Sequence, residues 1–258
     1  MSRFSSLEFS ENNEGDFDAQ QTVKDESFYF LEAQRAFENG QFEQALRFFS
    51  KVLEFNPKNA AAWTGQVRSL IELGEFPEAK LWADKALENF PNEAELLAAK
   101  SVALGRIGDL KAALAFSDAS IEERGDTPYI WLARGDVLLA RAEKRAEYCF
   151  QKAIAFAPTD WFVHWLASRI HYVYKKFSIA LKFAQDALNL NPGNAAVWMQ
   201  AGNCQMGLGL IVLAENSFTQ ARQLNPHCTE AELALTKISQ AGFFSKLTGR
   251  LRQIFHTP

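Results

Sequence analysis

AAAWTGQVRSLIELGEFPEAKLWADKALENFPNE, residues 60–93, contains the pattern that decides the fold. From Trp63 onward, apolar residues recur at helical spacing, which predicts an amphipathic helix. Gly74 then marks a turn, and a second helical stripe begins at Ala79. Pro91 ends this second helix because proline lacks an N–H group and its ring clashes with the preceding turn. The stretch is therefore predicted to form two helices joined by a short turn.

The same pattern recurs six times along the chain. The alanine that opens the second stripe returns at spacings of 34, 34, 33, 34 and 34 residues, as Ala45, Ala79, Ala113, Ala146, Ala180 and Ala214. The residue that ends the second helix returns in the same phase, as Pro57, Pro91, Gly125, Pro158, Pro192 and Pro226. Because the alanine and the residue that ends the second helix recur with the same spacings, the pattern indicates stacked supersecondary units. The predicted units are 26–59, 60–93, 94–127, 128–160, 161–194 and 195–228.

Further patterns extend the prediction beyond the six units. Residues 229–241 are predicted to form a helix that caps the last unit, so we expect thirteen or fourteen helices and no strands. Near the start of a helix, side-chain oxygens can accept from free backbone N–H groups. The residues expected to do so are Asn59, Thr127, Asp160 and Asn194.

The units resemble the tetratricopeptide repeat, whose loose pattern has an aromatic fourth residue, a small eighth residue and an alanine at the twentieth. The fourth residues here are Tyr29, Trp63, Leu97, Trp131, His164 and Trp198. The resemblance covers roughly residues 26–228. It implies an all-α, right-handed superhelical solenoid in which the first helix of each unit lines the concave side.

The two ends of the chain differ in charge. Residues 1–26 carry seven acids against two bases, and we interpret residues 1–25 as an acidic disordered tail. It could fold back into the groove near Arg68 or Arg106. Residues 242–258 carry three bases and no acid, and their apolar residues form one helical stripe. This basic amphipathic segment is expected to pack on the cap, to bind a partner, or, as a minority alternative, to contact a membrane.

The residues offer no catalytic constellation, so the protein is predicted not to be an enzyme and to need no cofactor. His164 and His171 share a helix face but lack a third ligand, so no metal site is expected. Net charge is -4, which disfavours a nucleic-acid partner. The start of the chain has no secretory pattern and three scattered cysteines suggest no disulfide framework. Together these features predict a cytoplasmic protein.

The resemblance also implies which residues face the groove. Carried over from the family's groove positions, with Arg106 beside them, the expected partner-binding residues are Phe30, Gln34, Arg68, Arg106, Tyr129, Asp136, Phe162, Trp165, Arg169, Tyr172, Met199 and Asn203. Four of these share one helix face, and we expect Trp165 among them to be an exposed anchor beside Arg169. The competing interpretation is that a tight superhelix, or the tail, buries these aromatic residues.

These expectations favour one function and leave an alternative. The favoured function is a scaffold or adaptor that binds a segment of a partner protein in the concave groove. The Lys/Asn pair with which some family members hold a chaperone's C-terminus occurs in no unit, so that ligand is not expected. The alternative is a membrane-peripheral assembly factor, for example in pilus or secretion assembly, that uses residues 243–255.

Overall fold

The computed structural model describes residues 24–240, and all regular structure in that range is helical. The helices named in chain order are α1 (Glu26–Glu38), α2 (Phe42–Phe55), α3 (Ala60–Glu72), α4 (Phe76–Asn89), α5 (Ala94–Ile107), α6 (Leu110–Glu123), α7 (Pro128–Ala140), α8 (Ala146–Phe156), α9 (Trp161–Val173), α10 (Phe177–Leu190), α11 (Ala195–Gly207) and α12 (Ile211–Leu224). A further helix, α13, spans residues 229–240. The predicted all-α solenoid is confirmed, with thirteen helices in the described range.

Each unit turns between its two helices through one residue with a left-handed backbone. Four units use glycine there, with φ of 72° at Gly40, 81° at Gly74, 101° at Gly108 and 74° at Gly209. The fourth and fifth units instead place Ala142 and Lys175 in this conformation, with φ of 54° and 56°. A side chain in this region costs about 1–2 kcal/mol, so these two turns are strained relative to the others.

The units pack through size-matched residues. Every alanine of the 34-residue register is buried, as expected. Where the twenty-fourth residue is phenylalanine, a glycine faces it. A Cβ added to Gly135 would lie 2.7 Å from the Phe150 ring, and one added to Gly202 would lie 2.5 Å from Phe218. The aromatic ring therefore occupies the space that the missing side chain leaves, which explains how one fold accepts both small and large residues at this position.

The loop between units is held at two points. Asn59, Asp160 and Asn194 accept from backbone N–H groups of the next helix, as predicted. The prediction for Thr127 was wrong: its hydroxyl makes no capping bond and is buried without a partner. The second point is the fourth residue, whose ring N–H reaches back to a loop carbonyl. This bond is 2.9 Å in Trp63, 2.8 Å in Trp131 and 2.8 Å in Trp198.

The last helix covers one side of the sixth unit. Ile238 of α13 packs in a cluster with Ala214 and Phe218 of α12. On its outer side α13 presents polar residues, Glu232, Thr236 and Ser239, all exposed. Apart from Leu233, which is 60% exposed, this outer face is polar, as a terminal repeat needs in order to end an array in water.

The solenoid coils so tightly that its first unit touches its fifth and sixth. The amide of Asn194 donates to the carbonyl oxygen of Glu38, at 3.3 Å. A Cβ added to Gly40 in the first turn would lie 3.2 Å from the Cβ of Ala196. The ring of Phe37 in α1 meets that of Phe162 in α9, with centroids 6.0 Å apart. This closure determines how much of the concave surface stays open.

Candidate partner-binding surface

The middle of the concave surface is filled by an ion pair and aromatic rings, which we call the sealed centre: Arg106, Asp136, Tyr174, Trp165 and Arg169. Arg106 donates two hydrogen bonds to the Asp136 carboxylate, at 3.0 and 2.6 Å. Burial opposes the charge on Arg106, but the adjacent Asp136 outweighs it and raises the pKa of the guanidinium. The Tyr174 hydroxyl donates to the same carboxylate at 2.6 Å. Arg106 and Asp136, both expected to contact a partner, are thus paired with each other.

Trp165 was predicted to be an exposed anchor, and that prediction was wrong. The side chain does point into the concavity, but its residue exposure is 0%. The Phe42 ring, at the start of α2, stacks on it with centroids 6.1 Å apart, and its indole N–H donates to the Ala196 carbonyl at 3.3 Å. The physical reason is the closure of the coil, which brings the first unit over this face.

Arg169 was predicted to select a group on the partner, and in the structure the chain itself supplies an anion for it. The Nε of Arg169 donates to Glu72 of α3 at 2.6 Å, across the concavity. Its guanidinium carbon also lies 4.6 Å from the Phe42 ring centroid and 5.1 Å from that of Trp165. Arg169 therefore joins the second, fifth and first units rather than meeting solvent alone.

Three other predicted groove residues lie away from the sealed centre. Tyr172 packs on Phe177 at the start of α10, with centroids 5.4 Å apart, and burial raises the pKa of its hydroxyl. Met199 packs against the cluster that joins α12 to α13. Asn203 is half-buried on α11. The structure does not bring these residues together with Phe162.

Four predicted residues do come together, at the end of the concavity formed by the first three units. Phe30, Gln34, Arg68 and Phe162 line a cavity of about 440 Å³, which we call the end pocket. The remaining lining residues are Phe37, Glu38, Phe49, Ala60, Ala61, Thr64, Gly65, Glu93 and Glu95. Its inner wall is Arg68, whose guanidinium carbon lies 3.8 Å from the ring centroid of Tyr129 and 5.1 Å from that of Phe37. Burial raises the pKa of Tyr129.

The end pocket carries more acid than base. Glu38, Glu93 and Glu95 line it, whereas Arg68 is the one basic residue among its lining residues. Within residues 24–240, none of the three glutamates forms an ion pair. Burial and the nearby Asp160 carboxylate raise the pKa of Glu38. The pocket thus combines phenylalanine walls with a net negative charge.

Sequence reasoning missed these three acids and also Phe42 and Glu72, which close the centre. Glu93 takes the place at which Asn59 and Asn194 cap helices, and that departure from the pattern was a usable signal. Nothing in the pattern pointed to Glu72, whose partner is 97 residues away. The hypothesis that residues 1–25 occupy the groove involves a segment that lies, up to residue 23, outside the described residues. The acids of the end pocket repel such an acidic segment.

A second cavity, of about 450 Å³, lies among α6, α7 and α8. Its basic residues are already paired: Arg134 with Asp118 at 2.6 Å, and Arg145 with Glu143 at 2.6 Å. Burial raises the pKa of Cys149, which also lines it, so this thiol is less reactive than an exposed one. This cavity contains none of the predicted groove residues.

The histidine pair serves packing. His171 is buried, its Nδ1 lies 2.8 Å from the Ala167 carbonyl oxygen, and its ring meets the Phe150 ring with centroids 4.2 Å apart. Desolvation lowers the pKa of His171. His164 takes the place of the fourth-position tryptophan, with its Nε2 3.4 Å from the Pro158 carbonyl oxygen. Between residues 24 and 240 no group of three metal-ligating side chains comes together, and no helix there could cross a bilayer.

The sequence comparison and the structure comparison both find tetratricopeptide repeat proteins. A tetratricopeptide repeat family model matches residues 36–103. Over 110 residues the chain is 31% identical to Protein CTR9 homolog from Arabidopsis thaliana, covering 42% of this chain and 10% of that protein. A solved tetratricopeptide repeat protein from Parabacteroides merdae has a TM-score of 0.54 at 15% identity and covers 85% of this chain and 86% of its own.

A second solved structure, the APC/C hetero-tetramer Cut9-Hcn1, has a TM-score of 0.50 at 16% identity. The likeness covers 84% of this chain and 44% of that one. The chain thus spans about a tenth of the curated relative and less than half of this solved chain. The structural likenesses show a solenoid of helical pairs.

Proposed function

We propose that this chain, whose residues 36–103 match a tetratricopeptide repeat model, is a non-catalytic scaffold that binds a segment of a partner protein in the end pocket. Tetratricopeptide arrays in general are interaction scaffolds and not catalysts. The observation that carries the proposal is the end pocket itself, a concave cavity of about 440 Å³ that keeps Phe30, Gln34, Arg68 and Phe162 together.

The chemistry of the end pocket favours one kind of partner segment. Phenylalanine rings offer apolar contact, and their faces attract cations. Glu93 and Glu95 add negative charge at the start of α5, and Glu38 adds more at the end of α1. A segment with a lysine or arginine flanked by apolar side chains would satisfy both features, since complementary charge steers and orients binding.

A variant in which a large side chain fills the end pocket tests this proposal. Peptides are selected from a displayed random library against the wild-type chain, and the affinity of each synthesised peptide is measured by fluorescence anisotropy. Ala61 is exposed at the pocket, so Ala61→Trp fills the cavity and leaves the core intact. We expect binding to weaken by about tenfold or more, which corresponds to ~1.4 kcal/mol.

The matched control is Ala115→Trp on α6, where an exposed alanine lies outside the pocket. It should bind like the wild type. The double variant Glu93→Gln with Glu95→Gln should bind the selected peptides less tightly than the wild type does. This loss of affinity should be larger at low salt. Peptides that bind Ala61→Trp as tightly as the wild type, or that lack basic residues, would contradict the proposal.

The remaining predictions from the sequence stay predictions. A cytoplasmic location and the absence of a nucleic-acid partner are in this group, as is the absence of catalysis. The alternative role as a membrane-peripheral assembly factor was based on residues 243–255, which lie outside the described part of the chain.

A further inference from the structure

Two parts of the coil that are distant in sequence build the end pocket. Twelve of its thirteen lining residues belong to the first three units, and the thirteenth is Phe162, in the first turn of α9 in the fifth unit. The Phe162 ring meets the Phe37 ring of α1 edge to face, with centroids 6.0 Å apart. One wall of the end pocket is therefore present only while the first unit lies against the fifth.

Hydrogen bonds add little at the junction where residues 37–40 of the first unit meet the starts of α9 and α11, which we call the seam. The amide nitrogen of Asn194 lies 3.3 Å from the carbonyl oxygen of Glu38 and 3.4 Å from the Oδ1 of Asn39. Both distances exceed the usual length of an N–H···O hydrogen bond. Closure at the seam therefore depends mainly on packing and on charge.

The charges at the seam oppose closure. The carboxylate of Asp160, directly before α9, accepts from the backbone N–H of Phe162 at 2.9 Å, so it lies at the edge of the end pocket. Burial, together with this nearby carboxylate, raises the pKa of Glu38 at the end of α1. Neither acid forms an ion pair with any of residues 24–240. Closure thus brings together two like charges from the first and fifth units, which repel each other.

We propose that the partner segment links the two sides of the seam: its basic side chain binds between Glu38 and Asp160, and its apolar neighbours contact Phe162. This inference rests on the proposed function, because it needs the segment to bind in the end pocket. A cation between the two carboxylates replaces their repulsion with attraction. A ligand that binds the closed coil more tightly than an open one shifts the equilibrium toward closure. By the same linkage, a change that opens the coil weakens binding of the segment.

The charge of Asp160 is tested with Asp160→Asn. Asparagine caps a helix start as well as aspartate does, so α9 is retained. We expect the affinity for peptides selected against the wild type, measured by fluorescence anisotropy, to fall about fivefold or more. The matched control is Asp109→Asn, since Asp109 caps α6 by accepting from Ala112 at 3.1 Å and does not line the pocket. It should bind like the wild type. A peptide whose basic residue is replaced by methionine should bind the wild type and Asp160→Asn equally.

The link to closure is tested with Glu72→Gln. Glu72 does not line the pocket, and it meets Arg169 across the concavity. Its removal leaves Arg169 without an anion in the closed coil, which favours opening, so we expect peptide affinity to fall about fivefold or more. A disulfide between Gly40→Cys and Ala196→Cys, in a Cys228→Ala background, then holds the seam closed. In this locked chain Glu72→Gln should no longer lower the affinity, whereas a direct effect of the Glu72 charge on the peptide would persist.

Failure of this inference can be told apart from failure of the proposed function. If Ala61→Trp prevents binding but Asp160→Asn and Glu72→Gln bind like the wild type, the segment occupies the end pocket without linking the seam. The inference is then wrong and the scaffold role stands. An effect of Asp160→Asn that does not depend on the peptide's basic residue would also overturn it. So would an effect of Glu72→Gln that persists in the locked chain, or a pair of cysteines that does not cross-link. Unchanged binding by Ala61→Trp would instead contradict the proposed function itself.

Discussion

The end pocket and the sealed centre lie on the same concave surface and use equivalent positions of the repeat, yet they differ in what their charges meet. In the sealed centre Arg106 faces Asp136 and Arg169 faces Glu72, each at hydrogen-bond distance. In the end pocket Glu38, Glu93 and Glu95 form no ion pair with any of the described residues. The difference shows that a repeat position determines the direction of a side chain, whereas the closure of the whole coil determines whether it is free to bind.

The largest expected effect comes from removing the ring at the sealed centre. Trp165→Ala should lower the free energy of unfolding by about 3–5 kcal/mol, because it leaves a large cavity at a fully buried site. Urea denaturation, monitored by circular dichroism, measures this loss of stability. Phe30→Ala, in the end pocket, should cost less stability while abolishing binding of the selected peptides. Equal stability losses in the two variants would remove the distinction between the two regions.

A somewhat smaller loss should follow from breaking the buried ion pair. Asp136→Asn keeps the shape of the side chain but leaves the Arg106 charge buried without its counter-ion, which should cost about 3 kcal/mol. The control is Asp118→Asn, which breaks the half-exposed pair with Arg134 and should cost no more than about 1 kcal/mol. If both variants unfold at the same urea concentration, the Arg106–Asp136 pair is not desolvated as described.

The smallest effect concerns the unpaired acid Glu38. Its pKa is raised in the folded chain, so its ionisation opposes folding at pH 7, and this opposition disappears once pH falls below the unfolded-state pKa of about 4.3. Glu38→Gln should therefore stabilise the fold at pH 7, by about 0.5 kcal/mol or less because the group is partly solvated. The gain should fade toward pH 4.

Glu88→Gln on α4 provides the control for Glu38→Gln, since Glu88 is exposed and does not line the pocket. Its unfolding free energy should match the wild type at both pH values. A destabilised Glu38→Gln variant at pH 7 would mean that Glu38 has a cationic partner.

The regular features of the fold could be predicted because each depends on residues within one unit. The buried alanines, the turn at Gly74 and the cap at Asn59 belong to this group. The cap predicted at Thr127 does not form: its hydroxyl accepts no backbone N–H group of α7. Trp165 faces the concavity as predicted, but its burial depends on Phe42, more than a hundred residues earlier. The degree of coiling is a sum over the five interfaces between successive units, and no single unit's pattern encodes it.

For the same reason, the candidate site could be predicted from the sequence only in part. Phe30, Gln34, Arg68 and Phe162 remained together because the end pocket lies mostly within the first three units. Trp165 and Arg169 were assigned to a partner because the residues that cover and pair with them, Phe42 and Glu72, lie in distant units. Predicting that pairing requires the geometry of the whole superhelix, which the sequence pattern of one repeat does not contain.

A disulfide across the closure tests the central claim most directly. In a Cys228→Ala background, Gly40→Cys with Ala196→Cys places two thiols whose Cβ atoms would be 3.2 Å apart, near the ~3.8 Å of disulfides. The account predicts an intramolecular disulfide in the monomer, identified by peptide mass after mild oxidation. The control is Gly74→Cys with Ala196→Cys, because Gly74 is the equivalent left-handed glycine of the second unit and has open space around it. It should stay reduced. A monomer in which both pairs cross-link at the same rate, or in which neither does, would contradict the closure of the first unit on the sixth.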